Sequence, residues 1–365
     1  MKKVLITGGA GFIGYHLAKK LSNNGCYITI VDNNARGVMD RELKELVELS
    51  NVEYLQIDLL QEGGLNKLGK DYDFIFHLAA IIGVVHVLNH PYDVLTKNIA
   101  MLENMVNFSK DQSGLKRFFF ASTSEIYAGT LKYFDLIVPT KEDTPLAVTD
   151  LKHPRTSYML SKIYGEAICQ HAPIPVAIVR PHNVYGPRMG MSHVIPELLK
   201  KSYLSEENSS VKVYSIEHRR SFCYIDDAVN QLLAMMESDS VDNLVFNLGT
   251  EFPEVAMKDV ANICFDTVGK KLTIDEQPPT SGSPERRAPD MNKSIKDLGV
   301  ESKTSLEKGI QLTFDWYKEK LFMNNIKFIF APSRHYSGRG LLNRNSTLWG
   351  AWIIELNNKK IFFTT

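Results

Sequence analysis

Near the amino terminus a short β-branched run, Val4 to Thr7, enters Gly8-Gly9-Ala10-Gly11-Phe12-Ile13-Gly14, and a helical pattern from Phe12 to Leu21 follows. Gly9, Gly11 and Gly14 have the spacing of a strand-to-helix turn that wraps a pyrophosphate. The first glycine permits the bend, the second lets backbone approach phosphate oxygens, and the third lets helix pack on strand. The helix N-terminus adds free N–H groups and the positive end of a dipole. About twenty residues on, Asp32 ends a second strand-like run, Tyr27 to Val31. A carboxylate there accepts from ribose hydroxyls and repels a 2′-phosphate. Strand, glycines, helix and acid together predict a dinucleotide site that favours NAD over NADP, with Gly8, Gly11, Phe12, Ile13, Gly14 and Asp32 against the cofactor. Arg36, just behind, offers a cation that softens this preference.

Further short runs repeat the alternation with helical patterns: Val52 to Ile57, Phe74 to His77, Arg117 to Ala121 and Val176 to Val179. Such alternation predicts right-handed βαβ units and a doubly wound α/β fold, a parallel Rossmann-type sheet covered on both faces, over residues 1–180. After Arg180 prolines punctuate shorter segments, which reads as a smaller C-terminal substrate-binding lobe over 181–320, with returns of the chain to the first domain. A helix from about Ser305 to Lys320, with Leu306, Ile310, Phe314 and Tyr317 on one side, closes it.

With 42 Lys and Arg against 42 Asp and Glu, the net charge is zero. No global field points to nucleic acid or an anionic membrane as partner. The four cysteines, Cys26, Cys169, Cys223 and Cys264, are too few for a disulfide framework and fit a reducing cytoplasm. The apolar start breaks at once on Thr7, Gly8 and Gly9, unlike a signal peptide, and no apolar run is long enough to span a bilayer. A cytoplasmic protein is expected.

Tyr158 and Lys162 lie four apart in a helical stretch, Ser157 to Cys169, and so share a face. Tyr15 and Lys19 repeat the spacing in the first helix, so context has to separate them. About thirty-five residues before Tyr158 stands Ala121-Ser122-Thr123-Ser124-Glu125-Ile126-Tyr127, at the predicted C-terminal end of a strand, where open α/β sheets place their ligand crevice. A phenol of ordinary pKa near 10 serves as a base at neutral pH only if its anion is stabilised, and about three units of lowering amount to roughly 4 kcal/mol. A neighbouring ammonium and an oxidised nicotinamide supply positive charge. Lys162 then also holds the nicotinamide ribose, and Thr123 or Ser122 bonds the sugar hydroxyl under oxidation. Asp58 accepts from the adenine amino group, and the small Ala79 and Ala80 leave room for the dinucleotide; a helix cap and close packing are their plain alternatives.

These motifs together resemble the extended short-chain dehydrogenases/reductases of the nucleotide-sugar epimerase/dehydratase family. The resemblance is carried by Thr7 to Gly14, Asp32, His77-Leu-Ala-Ala80, Asn98, Ser122 to Tyr127, Tyr158 with Lys162, Arg180-Pro-His-Asn-Val-Tyr-Gly-Pro-Arg188, Arg220-Ser-Phe-Cys-Tyr-Ile-Asp-Asp227 and Arg286-Arg-Ala-Pro-Asp290, and covers about residues 1–318. It implies bound NAD, with Asn33, Leu59, Asn98 and Ser122 among its contacts, a nucleoside-diphosphate sugar as substrate, and a homodimer. It implies catalytic roles for Tyr158, Lys162, Thr123, Ser124 and Glu125, and substrate contacts from Asn183, Arg188, Arg220, Arg286 and Arg287. The Thr-Ser-Glu order is similar to that of 4,6-dehydratases and uronic-acid decarboxylases: a ketone at C4 acidifies the C5 proton for Glu125, and in a hexuronic acid lets CO2 depart. Ser124 stands where the glucose dehydratases carry Asp, which weakens acid assistance to a leaving hydroxyl. A 4-epimerase, or a 3,5-type one, is the alternative, and a dinucleotide-binding protein without turnover a more distant one.

His86 and His90 are four apart, but no acid completes a metal motif and Pro91 follows; no metal is expected. The stretch Phe330 to Trp352 resembles a piece of metallo-β-lactamase-fold hydrolases similar to N-acylphosphatidylethanolamine phospholipase D. With a single histidine, His335, residues 321–365 lack that fold's metal motif. They are expected to be an inactive fusion remnant, an appended interaction segment being the competing view.

Overall fold

The computed structural model describes residues 1–241, 244–279 and 283–322, and the backbone of 352–356 and 359–363. The first domain alternates strand and helix: β1 (Lys3–Thr7), α1 (Phe12–Asn23), β2 (Tyr27–Asp32), α2 (Arg41–Val47), β3 (Val52–Gln56), β4 (Phe74–His77), α3 (Val84–Asn89), α4 (Pro91–Lys110), β5 (Arg117–Ala121), α5 (Ala128–Tyr133), α6 (Thr156–His171) and β6 (Val176–Pro181). There follow β7 (Val184–Tyr185), α7 (Val194–Leu204), β8 (Ser210–Tyr214), β9 (Arg219–Arg220), β10 (Cys223–Tyr224), α8 (Ile225–Glu237), β11 (Leu244–Leu248), β12 (Val255–Ala256), α9 (Met257–Val268), β13 (Thr273–Gln277), β14 (Arg286–Arg287), α10 (Asn292–Leu298) and α11 (Leu306–Tyr317).

Seven strands form one sheet in the order β11-β6-β5-β4-β1-β2-β3, and every neighbouring pair is parallel. This is the doubly wound α/β fold expected from the alternation, with the order reversing between β1 and β4. The strands are apolar on both faces because helices cover both. Val4 and Ile6 belong to one core and Leu5, between them, to the other. Phe118 and Phe120 likewise face one side and Phe119 the other, where it stacks on Phe76 at 4.2 Å.

The chain re-enters the sheet at β11, beside β6, so residues 181–320 are not a separable block. The expected strand Val176 to Val179 runs on to Pro181, because β11 pairs as far as Leu248 with Pro181. The expected strand to Ile57 stops at Gln56, the last residue in register with β2. The closing helix is shorter than Ser305 to Lys320: Ser305 caps it by accepting from the Lys308 N–H, and the chain widens into a looser turn at Lys318–Phe322. Most of Phe330 to Trp352 lies outside the described residues, His335 included. Trp352–Leu356 pairs antiparallel with Lys359–Phe363. Among the described residues no helix is long and apolar enough to cross a membrane.

Candidate active site

The C-terminal ends of β1, β2, β4 and β5 open onto the crevice where the strand order reverses, the usual ligand position in such sheets. The glycine turn is built for close approach. Gly8 has φ +70°, and a Cβ there would fall 2.8 Å from the Ala79 nitrogen; a Cβ on Gly14 would fall 2.5 Å from the Gly8 carbonyl oxygen. The first glycine keeps the turns after β1 and β4 in contact, and the last lets α1 seat on the turn. Asp32, buried at the end of β2, accepts from the N–H groups of Ala10 (3.1 Å) and Asn34 (2.8 Å). Burial raises its pKa and those two bonds oppose the rise. The Asn33 amide donates to Asp58 at 3.2 Å, so the two polar residues lie together beyond β2 and β3, with Leu59 buried behind them. Ala79, Ala80, Phe12 and Ile13 are partly exposed. Asn98 turns its amide to the backbone of Ile81, accepting from its N–H at 2.7 Å and donating to its carbonyl at 3.1 Å. Asn98 thus pins the loop after β4.

Ser122, after β5, has a buried hydroxyl with no hydrogen-bond partner. An orphaned hydroxyl at the strand ends, above a cradle that tolerates no Cβ, fits a dinucleotide that approaches the backbone and offers polar groups. Gly8, Gly11, Gly14, Asp32 and Ser122 are the residues that would hold NAD, and Lys162 its ribose.

Thr123 is extended and its hydroxyl accepts the Glu125 N–H at 3.2 Å, starting a tight turn over Ser124–Tyr127. Ser124 is buried, while Thr123 and Glu125 stay partly exposed. Helix α6 runs alongside and brings Tyr158 to the same place. The Tyr158 phenol is raised above its ordinary pKa, first by burial and then by the Glu125 carboxylate, with the Thr123 side chain and the Arg36 charge pulling the other way. Lys162 is buried, donates to the Ala121 carbonyl at 2.7 Å, and lies 4.8 Å from the Phe120 ring centre and 5.8 Å from that of Tyr158. Burial pushes its pKa down to about 8. The protein's own groups therefore do not favour the phenolate. Positive charge brought by an oxidised cofactor is what the base needs.

The expected substrate residues divide. Arg287 is partly buried and no side-chain hydrogen bond holds it among the described residues; burial lowers its pKa, Glu125 opposes that, and the Arg155 charge adds to it. Arg220, mostly buried, donates to Ser283 and to the carbonyls of Arg219, Glu285 and Pro284. Its pKa is pushed down to about 10, first by burial and then by the charge of Arg287. Two cations paired across neighbouring strands, neither in an ion pair among the described residues, suit an anionic ligand. Asn183, at φ +43°, donates to the Ser221 carbonyl at 2.9 Å and so joins the backbone beside Arg220.

Arg188 and Arg286 were expected here as well, and the structure engages both elsewhere. Arg188 pairs with Asp40 at 2.8 Å and lies 3.9 Å from the Tyr15 ring centre, a contact that also gives Tyr15 a packing role. Arg286 points outward to Glu254. The reason for the second is the strand: successive residues of β14 face opposite sides, so Arg287 faces in and its neighbour out. The rings of His86 and His90, on α3 and the turn after it, lie 4.9 Å apart and tilted, and among the described residues no group of His, Cys, Asp and Glu is arranged to hold a metal.

A buried polar network behind the site has no counterpart in the sequence reading. Arg180, on β6, donates to both oxygens of Glu166 on α6 (2.9 and 2.7 Å) and to the Tyr127 hydroxyl at 2.7 Å. The signals were available: an arginine directly after the apolar run of β6, and an acid one turn beyond Lys162.

Comparison with known proteins agrees with this geometry. The model of the NAD dependent epimerase/dehydratase family matches residues 4–249. The UDP-N-acetyl-alpha-D-glucosaminuronate decarboxylase of Bacillus cytotoxicus is 31% identical over 332 residues, covering 87% of this chain and 98% of that protein. UDP-glucuronic acid decarboxylase 1 of Xenopus tropicalis is 31% identical over 327 residues, 88% of this chain and 73% of the other. Among solved structures, the UDP-glucuronic acid 4-epimerase of Bacillus cereus, in complex with UDP-glucuronic acid and NAD, superposes with a TM-score of 0.76 at 26% identity, covering 87% of this chain and 99% of that one. The chain belongs to the NAD dependent epimerase/dehydratase family. It is an NAD-dependent enzyme, and its relatives act on nucleotide sugars.

Proposed function

We propose that the enzyme decarboxylates a nucleoside-diphosphate hexuronic acid through a 4-keto intermediate. The observation that carries this reading is Arg287: a partly buried guanidinium without a hydrogen-bonding partner among the described residues, in register with Arg220 on the next strand and within reach of the Glu125 charge. A planar fork of donors suits a carboxylate. Arg220, in register with Arg287 on the neighbouring strand β9, suits the diphosphate. A dehydratase instead needs an acid for the departing hydroxyl, and beside Glu125 stands Ser124.

NAD, when bound, supplies the hydride acceptor and positive charge. Tyr158 removes the proton from the C4 hydroxyl, which Thr123 orients. Lys162 holds the cofactor ribose. The ketone at C4 then lies β to the sugar carboxylate, so the C5–carboxyl bond breaks with its electron pair drawn toward the C4 oxygen. Arg287 holds the carboxylate to one side until CO2 leaves. Glu125, as a carboxylate, repels it, and the carbon that has lost CO2 takes its proton at C5 from water.

Decarboxylases at about 30% identity over most of the chain support the reading. We further propose a homodimer through α4 and α6, which pack on one another and carry the exposed Tyr92 and Tyr164. A cytoplasmic location is supported by four cysteines that are all free and buried. The test is mass spectrometry of the product from UDP-glucuronate with NAD. Loss of CO2 supports the reading; an isomer of unchanged mass would mean 4-epimerisation by the same oxidation, and loss of water a dehydratase.

A further inference from the structure

Asn247, on β11, is fully buried, and its side-chain amide is bonded on both ends. Its Oδ1 accepts from the Tyr127 hydroxyl at 3.3 Å and lies 3.1 Å from His182 Nε2; its Nδ2 donates to the carbonyls of Thr140 (2.8 Å) and Asp290 (3.1 Å). His182 is buried and its pKa is pushed down to about 3, chiefly by burial, so it is neutral and free to donate from Nε2. The backbone of Asn247 is held as well, its N–H donating to Glu142 at 2.8 Å.

The two ends of this amide serve the two segments that bear the site's opposite charges. Tyr127 ends the turn that contains Glu125, two residues earlier. Asp290 stands three residues after Arg287. Thr140 completes the clamp: its N–H donates to the Ala288 carbonyl, and its own carbonyl accepts from the Asp290 N–H, both at 2.9 Å. On the other side, β14 pairs with β9 and fixes only the start of the segment. A fully satisfied buried amide of this kind admits one arrangement of its neighbours, since any shift leaves a buried donor or acceptor unpaired.

We propose that Asn247 is a positioning residue: it sets the separation of Glu125 and Arg287 and, through that, the preference of the site for a sugar bearing a carboxylate. The inference rests on Arg287 being the partner of that carboxylate. Asn247 touches neither substrate nor cofactor in this account and acts only through the two segments it joins.

The test is equilibrium binding by calorimetry of UDP-glucuronate and of UDP-glucose to NAD-loaded protein, in a Tyr158→Phe background that blocks turnover. The parent is expected to bind the glucuronate more tightly. In Asn247→Leu that preference is expected to fall about tenfold, with the affinities for UDP-glucose and NAD unchanged. Tyr127→Phe removes the bond to Asn247 Oδ1, together with the one that the Tyr127 hydroxyl accepts from Arg180 and its contact with the Lys141 carbonyl, at little cost in volume. It is expected to lower the preference in the same direction by a smaller factor, and carries the test should Asn247→Leu fail to fold. Equal weakening of both nucleotides, or an unchanged ratio in the folded variants, would overturn the proposal. A parent that shows no preference for glucuronate overturns the Arg287 reading itself, and is told apart because it appears with Asn247 intact.

Discussion

Arg286 and Arg287 are adjacent and chemically identical, yet the structure assigns them opposite consequences. The pair Arg286–Glu254 has an arginine side chain 53% exposed. The Glu254 side chain is only 10% exposed, so breaking the pair costs about 1 kcal/mol of stability but no contact to substrate, and Arg286→Met is expected to change kcat/KM less than about fivefold. Arg287 gives up no internal hydrogen bond on replacement by Met, and its removal relieves the repulsion that lowers the Arg220 pKa. The protein should therefore fold with undiminished stability. What is lost is a charge-assisted hydrogen bond to substrate, about 1.5 to 3 kcal/mol, which converts to a fall in kcat/KM of about 10- to 150-fold. The assay is initial-rate kinetics on UDP-glucuronate at saturating NAD, with thermal unfolding of each variant as a control. A larger loss in Arg286→Met, or an Arg287→Met rate within twofold of wild type, would refute the assignment of the inward-facing arginine to the substrate.

Three further outcomes follow from the geometry. Tyr158→Phe is expected to lower turnover by about 100- to 10,000-fold, the range for loss of a general base, while NAD titration gives an unchanged affinity; an unchanged rate would contradict it. Gly8→Ala places a methyl group 2.8 Å from the Ala79 nitrogen at a φ of +70°, and should weaken NAD binding by about tenfold or more, since such strain costs about 1 to 3 kcal/mol; unchanged affinity by fluorescence titration would count against the cradle. The third concerns acid stability. His77, bonded to the Thr7 hydroxyl at 2.9 Å, has its pKa pushed down to about 3, mainly by burial. Its unfolded value is about 6.5. The folded state thus refuses a proton that the unfolded chain accepts, and stability present above pH 6.5 is lost as pH falls toward 3. At pH 5 the loss from this one group is about 2 kcal/mol. In urea denaturation, His77→Gln should narrow the stability difference between pH 7 and pH 5 by about that amount; an unaltered pH dependence would show that the ring is not held neutral.

The nucleotide-binding half was readable from local pattern because its determinants are local. The glycine turn, Asp32 and the Tyr158–Lys162 pair each depend on residues within a few positions of one another, and the alternation of apolar runs with helical patterns requires a covered parallel sheet. The substrate side was less readable because its determinants are pairings across the chain. Nothing near Arg188 says that Asp40 will neutralise it. Nothing near Arg286 and Arg287 says which faces inward until β14 pairs with β9. The Arg180–Glu166–Tyr127 network and the Asn247 amide stayed hidden for the same reason, although an arginine after an apolar strand is itself a sign of a buried partner.

The central claim is that the sugar is oxidised at C4 by direct hydride transfer while Tyr158 takes the hydroxyl proton. Its most direct test is a single turnover of UDP-glucuronate carrying deuterium at C4, followed by analysis of the nicotinamide ring, the sugar product and the solvent. The account requires the label on the nicotinamide or back at C4 of the product, with CO2 released. Deuterium recovered in water, with the nicotinamide unlabelled and the sugar converted, would contradict it.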